Sequence, residues 1–319
     1  MWDHGLREGK LTMKAVRFGE YGGPEVLRVD DVEEPHAAAG QIRVAVRGAG
    51  VNPVDWKIRS GAMAGFMPVE FPRIVGSDAA GVVDETGEGV SGVSVGDEVF
   101  GSAVGGATAE YAVLDHWATK PGGLSWAEAA GLPVAVETAL RVLKLLGCKE
   151  GQTLIINGAA GGVGIAGIQF ARERGARVIG TASERNHEFL RELGAEPTTY
   201  GDGLVERVRE LSPEGVDIAF DAAGHGAFPA LVELTGSPDN VVTIADFAAA
   251  EQGVRVSPGA EGRSWEALGQ AAELLEAGRF TMPVARTVAF SQAAEAHRLS
   301  EDGHVRGKLV LVPDSLVDD

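Results

Sequence analysis

The chain holds one cysteine, Cys148, in 319 residues. That excludes a disulfide framework and any metal site built on clustered cysteines. Cations are scarce as well: 28 Lys and Arg face 46 Asp and Glu, a formal net charge of −18. Nucleic-acid backbones are gripped by clustered cations, so no nucleic-acid partner is expected. No apolar run reaches the roughly 18 residues of a membrane-spanning helix, so no membrane partner is expected. The opening MWDHGLREGKLT has scattered charges and no apolar core, unlike a secretory signal. The cytoplasm is therefore the expected compartment. Prolines number only 14 and no Gly-X-Y repeat occurs, which excludes a collagen-like or low-complexity chain. Glycine is what the chain has in excess: 45 residues, about 14% against a usual share of about 7%. Hydrophobic residues at 45% and charged residues at 23% are ordinary for a globular protein.

Residues 1–12 read as an extension, because regular alternation begins after Met13. The acidic tail from Asp314 is expected to fray. The first part is β-rich, with strands predicted at 14–18, 26–32 and 41–51 and shorter ones at 81–83, 97–100 and 110–114. Ile42, Val44 and Val46 would share one face. Ser125-Trp-Ala-Glu128 has the form of a capping box and opens a helical stretch. Strands at 153–157, 176–181, 216–221 and 240–245 then alternate with helices, one of them over 183–193. Gly175 and Gly194 stand where a helix ends with positive φ. Such a series implies a parallel sheet with helices on both faces. A further helix runs through Trp265, Leu268, Ala272 and Leu275, and a last strand covers 308–312. The expected class is α/β, with a doubly wound domain of 134–257 inserted into a β-rich domain of 13–133 and 258–319.

The sharpest motif is Asn157-Gly-Ala-Ala-Gly-Gly-Val-Gly164, between a strand and a helix. In a dinucleotide-binding unit such glycines permit a tight turn, close approach of backbone to pyrophosphate, and tight helix–strand packing. Ala160, Gly161, Gly162, Val163 and Gly164 are the candidate phosphate-binding residues. The usual frame is G-x-G-x-x-G, and alanine at 159 replaces its first glycine. The next strand ends in a neutral Thr181, followed by Ser183 and Arg185, with Glu184 between them. A carboxylate at the strand end would favour a ribose hydroxyl, whereas Ser and Arg can donate to a 2′-phosphate. The expected cofactor is NADPH. Ser183 as a plain helix cap and Arg185 as a solvated residue are the alternatives.

Seven separated motifs carry a resemblance: Gly50-Val-Asn-Pro-Val-Asp55, Gly76-Ser-Asp-Ala-Ala-Gly81, Gly96-Asp-Glu-Val99, Leu132-Pro-Val-Ala135, the glycine turn, Asp221-Ala-Ala-Gly224 and Gly307-Lys-Leu-Val310. In this order they resemble the zinc-independent quinone oxidoreductases, zeta-crystallin-like members of the medium-chain dehydrogenase/reductase superfamily. The resemblance covers Met13 to Pro313. It implies a GroES-like partial β-barrel beside a Rossmann domain, NADPH in the cleft between them, and a homodimer. The implied reaction is hydride transfer to a quinone or to the β-carbon of an enone or enal.

The zinc-dependent cousins carry a Cys ligand, a Gly-His-Glu element and a four-cysteine lobe. Here the corresponding stretches read Gly50-Val-Asn52 and Gly76-Ser77-Asp78, so no metal is expected. Asn52 matches an asparagine near the nicotinamide and the substrate carbonyl, and an Asx-turn before Pro53 is its bland alternative. Lys57 replaces a familiar tyrosine and either orients the carbonyl, donates a proton, or is merely solvated. Asp55 and Arg59 read as structural. By the same resemblance Thr138 lies near the nicotinamide ribose, and Tyr200 near the adenosine phosphate or else in the core. Ala223 and Gly224 are assigned to the cofactor, Ala245 and Phe247 lie where the backbone would face the nicotinamide, and Lys308 lies near the cleft or else at the surface. Specificity is assigned to loops 60–71, with Met63, Phe66 and Met67, and 248–261. A pathway-specific enoyl reductase and a non-catalytic NADPH-binding sensor or structural protein are the competing functions.

Overall fold

The computed structural model of the chain describes residues 11–65, 67–259 and 262–317. Residues 1–10 of the expected extension, Phe66, Ala260 and Glu261 of the two loops, and Asp318 and Asp319 of the acidic tail lie outside the described residues. The β-rich part contains β1 (Thr12–Phe18), β2 (Arg28–Glu33), β3 (Ile42–Val51), β4 (Arg73–Ile74), β5 (Asp78–Thr86), β6 (Glu98–Val104) and β7 (Tyr111–Thr119). A helix, α1 (Pro53–Arg59), follows β3. Two more, α2 (Trp126–Ala130) and α3 (Pro133–Leu145), lead to the next sheet. That sheet holds β8 (Thr153–Asn157), β9 (Arg177–Thr181), β10 (Glu196–Thr198), β11 (Ile218–Asp221), β12 (Val241–Thr243) and β13 (Arg255–Val256). Its helices are α4 (Gly162–Glu173), α5 (His187–Glu192), α6 (Leu204–Leu211), α7 (Phe228–Thr235) and α8 (Glu266–Glu276). The chain closes with β14 (Val284–Ala289), α9 (Ala293–Asp302) and β15 (Lys308–Val312).

The second sheet is parallel throughout, in the order β10-β9-β8-β11-β12-β13. Read from its first strand this is the 3-2-1-4-5-6 order of a Rossmann domain. Its strands are apolar on both faces because both are covered. Leu154, Ile156, Phe220 and Val242 pack with α3, α4 and α8, while Ile155, Ile179 and Ala219 pack with α6 and α7. The first sheet runs β14-β15-β3-β5-β6-β7, and β3 also pairs with β7, which curls it into a GroES-like barrel. Ile42, Val44 and Val46 alternate inward on β3 as expected. Beyond them β3 is buried on both sides, because α2 lies across its glycines. A Cβ at Gly48 would meet the Ala130 methyl at 3.0 Å.

Several boundaries differ from the sequence expectation. Regular structure begins at Thr12, which pairs with Glu33, and the Leu11 carbonyl accepts from the Glu34 N–H. Asp314 is tied to Ser291 rather than frayed. The helix expected over 183–193 is a 3-10 turn, Glu184–Asn186, followed by α5. Short α1 was missed because Pro53 at its start reads as a turn signal, although proline is well suited to a first helical position.

Candidate functional site

The glycine turn joins β8 to α4, at the C-terminal edge of the central parallel strand. Gly158 takes φ +83°, which side chains rarely adopt. Gly161 caps α4 in an extended conformation with no side chain bonded there, so no side chain takes the first N–H groups of the helix. Gly164 has no room for a side chain: a Cβ there would lie 2.7 Å from the Ala159 Cα, and closer still to the Gly158 carbonyl oxygen. The alanine at 159 is accommodated by β9. A Cβ at Gly180 would lie 2.8 Å from the Ala159 methyl, so Gly180 supplies the missing space. The turn thus fits a pyrophosphate: helix N–H groups that no side chain caps, a positive helix end and a bare backbone.

A belt of polar side chains crosses the strand ends beneath it. The Thr181 hydroxyl donates to Asn157 Oδ1 at 2.7 Å and accepts from the Gly158 N–H at 3.2 Å. Asn157 Nδ2 donates to Asp221 Oδ1 at 2.8 Å. The same oxygen accepts from the Gly224 N–H at 2.8 Å, and Asp221 Oδ2 accepts from the Thr243 hydroxyl at 2.8 Å. Thr243 in turn accepts from the Ala245 N–H at 3.2 Å. Thr181 is therefore fully buried under the turn rather than at its surface. Asn157, Asp221 and Thr243 were not singled out as site residues. A polar residue closing an apolar strand was their only sequence signal.

A cleft of about 200 Å³ is lined by Gly158, Gly161–Gly164, Ala222, Asn52, Pro53, Gly303–Val305 and Gly307–Leu309. A second cavity, of about 470 Å³, shares His304, Val305 and Leu309 with it and is lined by Arg185, Arg286 and Arg306, with no carboxylate in the lining. Arg185 donates to the His304 carbonyl at 3.1 Å, and Arg306 sits 5.2 Å over the Phe189 ring. The Gly307 N–H donates to the Ala160 carbonyl at 3.0 Å. The 303–307 segment therefore straps the barrel to the phosphate turn. Ser183 Oγ accepts from Asn186 Nδ2 at 3.2 Å, and no cap to the 3-10 turn is made. Tyr200 is 52% exposed, which removes core packing as its explanation.

At the inner end of the cleft three buried polar groups meet: Asn52 (3% exposed), Asp78 (0%) and Lys308 (4%). Asn52 Nδ2 donates to Asp78 Oδ2 at 2.8 Å, and Lys308 Nζ donates to Asn52 Oδ1 and to Asp78 Oδ2 at 3.5 Å. Asp78 Oδ1 accepts from the Val134 N–H at 2.8 Å, in the first turn of α3. The Asn52 side chain bonds Asp78 and Lys308, beside a capping box with Asp55 at the start of α1. An amide and an ammonium carry five N–H bonds between them, so donors remain beyond these three hydrogen bonds. Asp55 accepts from the Asn52 N–H at 2.7 Å. Burial pushes its carboxyl up to about 7, with Asp78 adding to the rise and Lys308 opposing it. Lys57 lies one turn after Pro53 on α1, half-buried, outside the residues lining the cleft. Burial lowers its pKa. Arg59 is fully buried and pairs with Glu301, anchoring α9 just before the strap.

Thr138 is buried on α3, its hydroxyl 3.4 Å from both Glu137 Oε2 and Arg141 Nη2. Buried Glu137 accepts from Arg141 at 2.9 Å, Arg263 at 3.0 Å and the Ser264 N–H at 3.0 Å. It thereby ties α3 to the far end of the 248–261 loop. Met63 is in the core, whereas Phe71 is partly exposed and packs edge-on to Tyr21. Among the described residues no group of three or more His, Cys, Asp or Glu is placed to hold a metal ion, and no helix is long and apolar enough to cross a membrane.

Two buried groups give opposite pH dependences. The His297 imidazole is pushed down to about 4 by burial, with Arg59 adding to the effect. Unfolding lets it bind a proton, so stability should fall as pH drops from about 6.5 to about 4, by roughly 3 kcal/mol. Asp55 holds its proton only when folded, so its contribution of roughly 4 kcal/mol is lost as pH rises from about 4 to about 7. The two nearly cancel below about pH 6.5. Urea denaturation of Asp55→Asn should shift the balance towards the His297 slope, with the midpoint rising more with pH between about 4 and 6.5 than in the wild type. An unchanged, level profile would contradict this assignment.

Comparison with known proteins agrees with the geometry. Residues 38–153 match the alcohol dehydrogenase GroES-like domain family, and residues 193–311 match the family described as zinc-binding dehydrogenase. A 2-methylene-furan-3-one reductase of Solanum lycopersicum is 32% identical over 318 residues, covering 94% of this chain and 79% of the relative. The structure of the quinone oxidoreductase from Coxiella burnetii superposes with a TM-score of 0.79 at 31% identity, covering 95% of this chain and 99% of the other. A mycobacterial protein solved in complex with NADPH gives a TM-score of 0.80 at 28% identity, with 94% and 100% coverage. The chain is an oxidoreductase and belongs to the zinc-independent quinone oxidoreductase family of the medium-chain dehydrogenase/reductase superfamily.

Proposed function

We propose that this oxidoreductase uses NADPH to reduce a quinone or the β-carbon of an α,β-unsaturated carbonyl. The observation that carries the reading is one cleft lined both by the bare phosphate turn and by the Asn52–Lys308 donors. The similarity to a furanone reductase supports the enone arm. Bound NADPH supplies the hydride. The N–H groups of Gly162, Val163 and Gly164 hold the pyrophosphate, with the Ala160–Gly161 backbone beside them. Ala223, Gly224, Ala245 and Phe247 flank the nicotinamide end with Thr138, and Thr181 acts by supporting the turn. Ser183, Arg185 and Tyr200, with Arg306 opposite, receive the adenosine 2′-phosphate. Asn52 donates to the acceptor oxygen as it gains negative charge, and preorganised donors of this kind typically contribute about 10²–10³ in rate. Lys57 or solvent delivers the proton. The working unit is a homodimer in the cytoplasm, with the domain division at 134–257.

Arg185→Ala tests the cofactor assignment. NADPH affinity should fall about tenfold or more, because a charge-assisted contact to the 2′-phosphate is lost. NADH affinity should hold. Equal losses for both dinucleotides, followed by fluorescence titration, would contradict a 2′-phosphate role. Asn52→Ala should lower kcat by about 10² with quinone and enone acceptors alike.

A further inference from the structure

Asp55 and Asp78 are both buried, and the Lys308 ammonium lies among them. Burial pushes both carboxyls up, and Asp78 is the better satisfied of the two, accepting from Asn52 Nδ2, Lys308 Nζ and the Val134 N–H. Asp55 accepts from the Asn52 N–H, a bond that a neutral carboxyl can keep through its carbonyl oxygen. Lys308 also belongs to the phosphate turn. Its stem crosses Gly162, where a Cβ would lie 2.7 Å from the lysine Cδ, and it lines the cleft with Gly161–Gly164.

We propose that Asp55 takes up a proton when a dinucleotide fills the Gly158–Gly164 turn, so that cofactor affinity falls as pH rises. This rests on the reading of that turn as the cofactor site. A pyrophosphate at the start of α4 draws on the same ammonium that balances the two carboxylates. Two buried carboxylates with a reduced share of one positive charge cannot both stay ionised. The weaker-held Asp55 is the one that becomes neutral. The groups facing it are Asp78 from β5, Lys308 from β15 and Arg73 from β4, with the α3 N-terminus touching Asp78. Asp55 already sits up to about 7 through burial, so a modest further push changes its charge at physiological pH.

Isothermal titration with NADH in two buffers of different ionisation enthalpy reads the proton number directly. NADH has no 2′-phosphate, so the ligand does not itself titrate near neutrality. A tenfold tightening of the proton at Asp55 corresponds to about half a proton taken up per dinucleotide at about pH 7.5, and about fivefold weaker binding between about pH 7 and 9. Asp55→Asn should bring the uptake close to zero, while His304→Gln, which removes the imidazole lining the cleft, should retain it. Equal proton numbers for wild type and Asp55→Asn overturn the proposal. If Asp55→Asn does not fold, the wild type decides: uptake that fades at about pH 5.5, where Asp55 is already neutral, supports it, and a constant or reversed proton number overturns it. Saturable binding with no proton uptake defeats this inference alone. No saturable binding of NADH or NADPH defeats it together with the cofactor reading.

Discussion

Gly164→Val should abolish dinucleotide binding and destabilise the protein. The valine Cβ would lie within 2.7 Å of the Ala159 Cα, and a backbone contact cannot be relieved by a rotamer change. Either α4 shifts away from β8 or the turn is remade, and overpacking of this kind costs about 1–3 kcal/mol. The first N–H groups of α4 would then no longer converge on one point, and affinity should fall by more than about 10². Gly161→Ala separates the two effects. A Cβ at Gly161 meets only the Gly158 oxygen, at 3.6 Å, and φ is −80°, so folding should be unaffected. The added methyl would still occupy the cleft and weaken binding. Thermal melts and NADPH titrations of both variants would check this. Wild-type affinity in Gly164→Val would show that the turn does not hold the phosphates.

Asp78→Ala is expected to produce the largest loss of stability, about 3–5 kcal/mol, because it strands a buried ammonium. Lys308 would keep only the Asn52 oxygen, and the Val134 N–H at the start of α3 would lose its acceptor. Lys308→Met added to Asp78→Ala should recover part of the loss, because the stranded charge is then gone. Asp78→Asn should cost less than Asp78→Ala, since it preserves an acceptor for Val134. Guanidinium unfolding of the three variants measures these differences. If Asp78→Ala and the double variant were equally destabilised, the Lys308 charge would not be the cause.

The parts of this protein that are local in sequence were legible in it. The glycine turn, its flanking strand and helix, and the capping box at Ser125 all stand where residue spacing places them. The alternation of β3 identified its inward face correctly. The polar belt from Thr181 through Asn157 and Asp221 to Thr243 was not legible, because it joins four strands that are distant in sequence. The same holds for Asn52, Asp78 and Lys308, which come from three strand ends and meet only once the barrel closes. Arg59 was read as structural, but its partner, Glu301 on α9, lies too far along the sequence to be named from it. The 303–307 strap was missed because Gly303, His304 and Gly307 carry no periodicity. Their positive φ angles and the bond from Gly307 to Ala160 exist only with the two sheets in place.

The most direct measurement mixes the protein with NADPH deuterated at its transferable position and an excess of a small enone, with a benzoquinone-type acceptor in parallel, followed by mass spectrometry of the products. Oxidation of the cofactor with deuterium on the enone β-carbon, or stoichiometric hydroquinone, is the expected result at about pH 6–8. The same yields should drop about 10² in rate with Asn52→Ala. NADPH that binds tightly and stays unoxidised with both acceptor classes would contradict the assignment of this cleft as a hydride-transfer site.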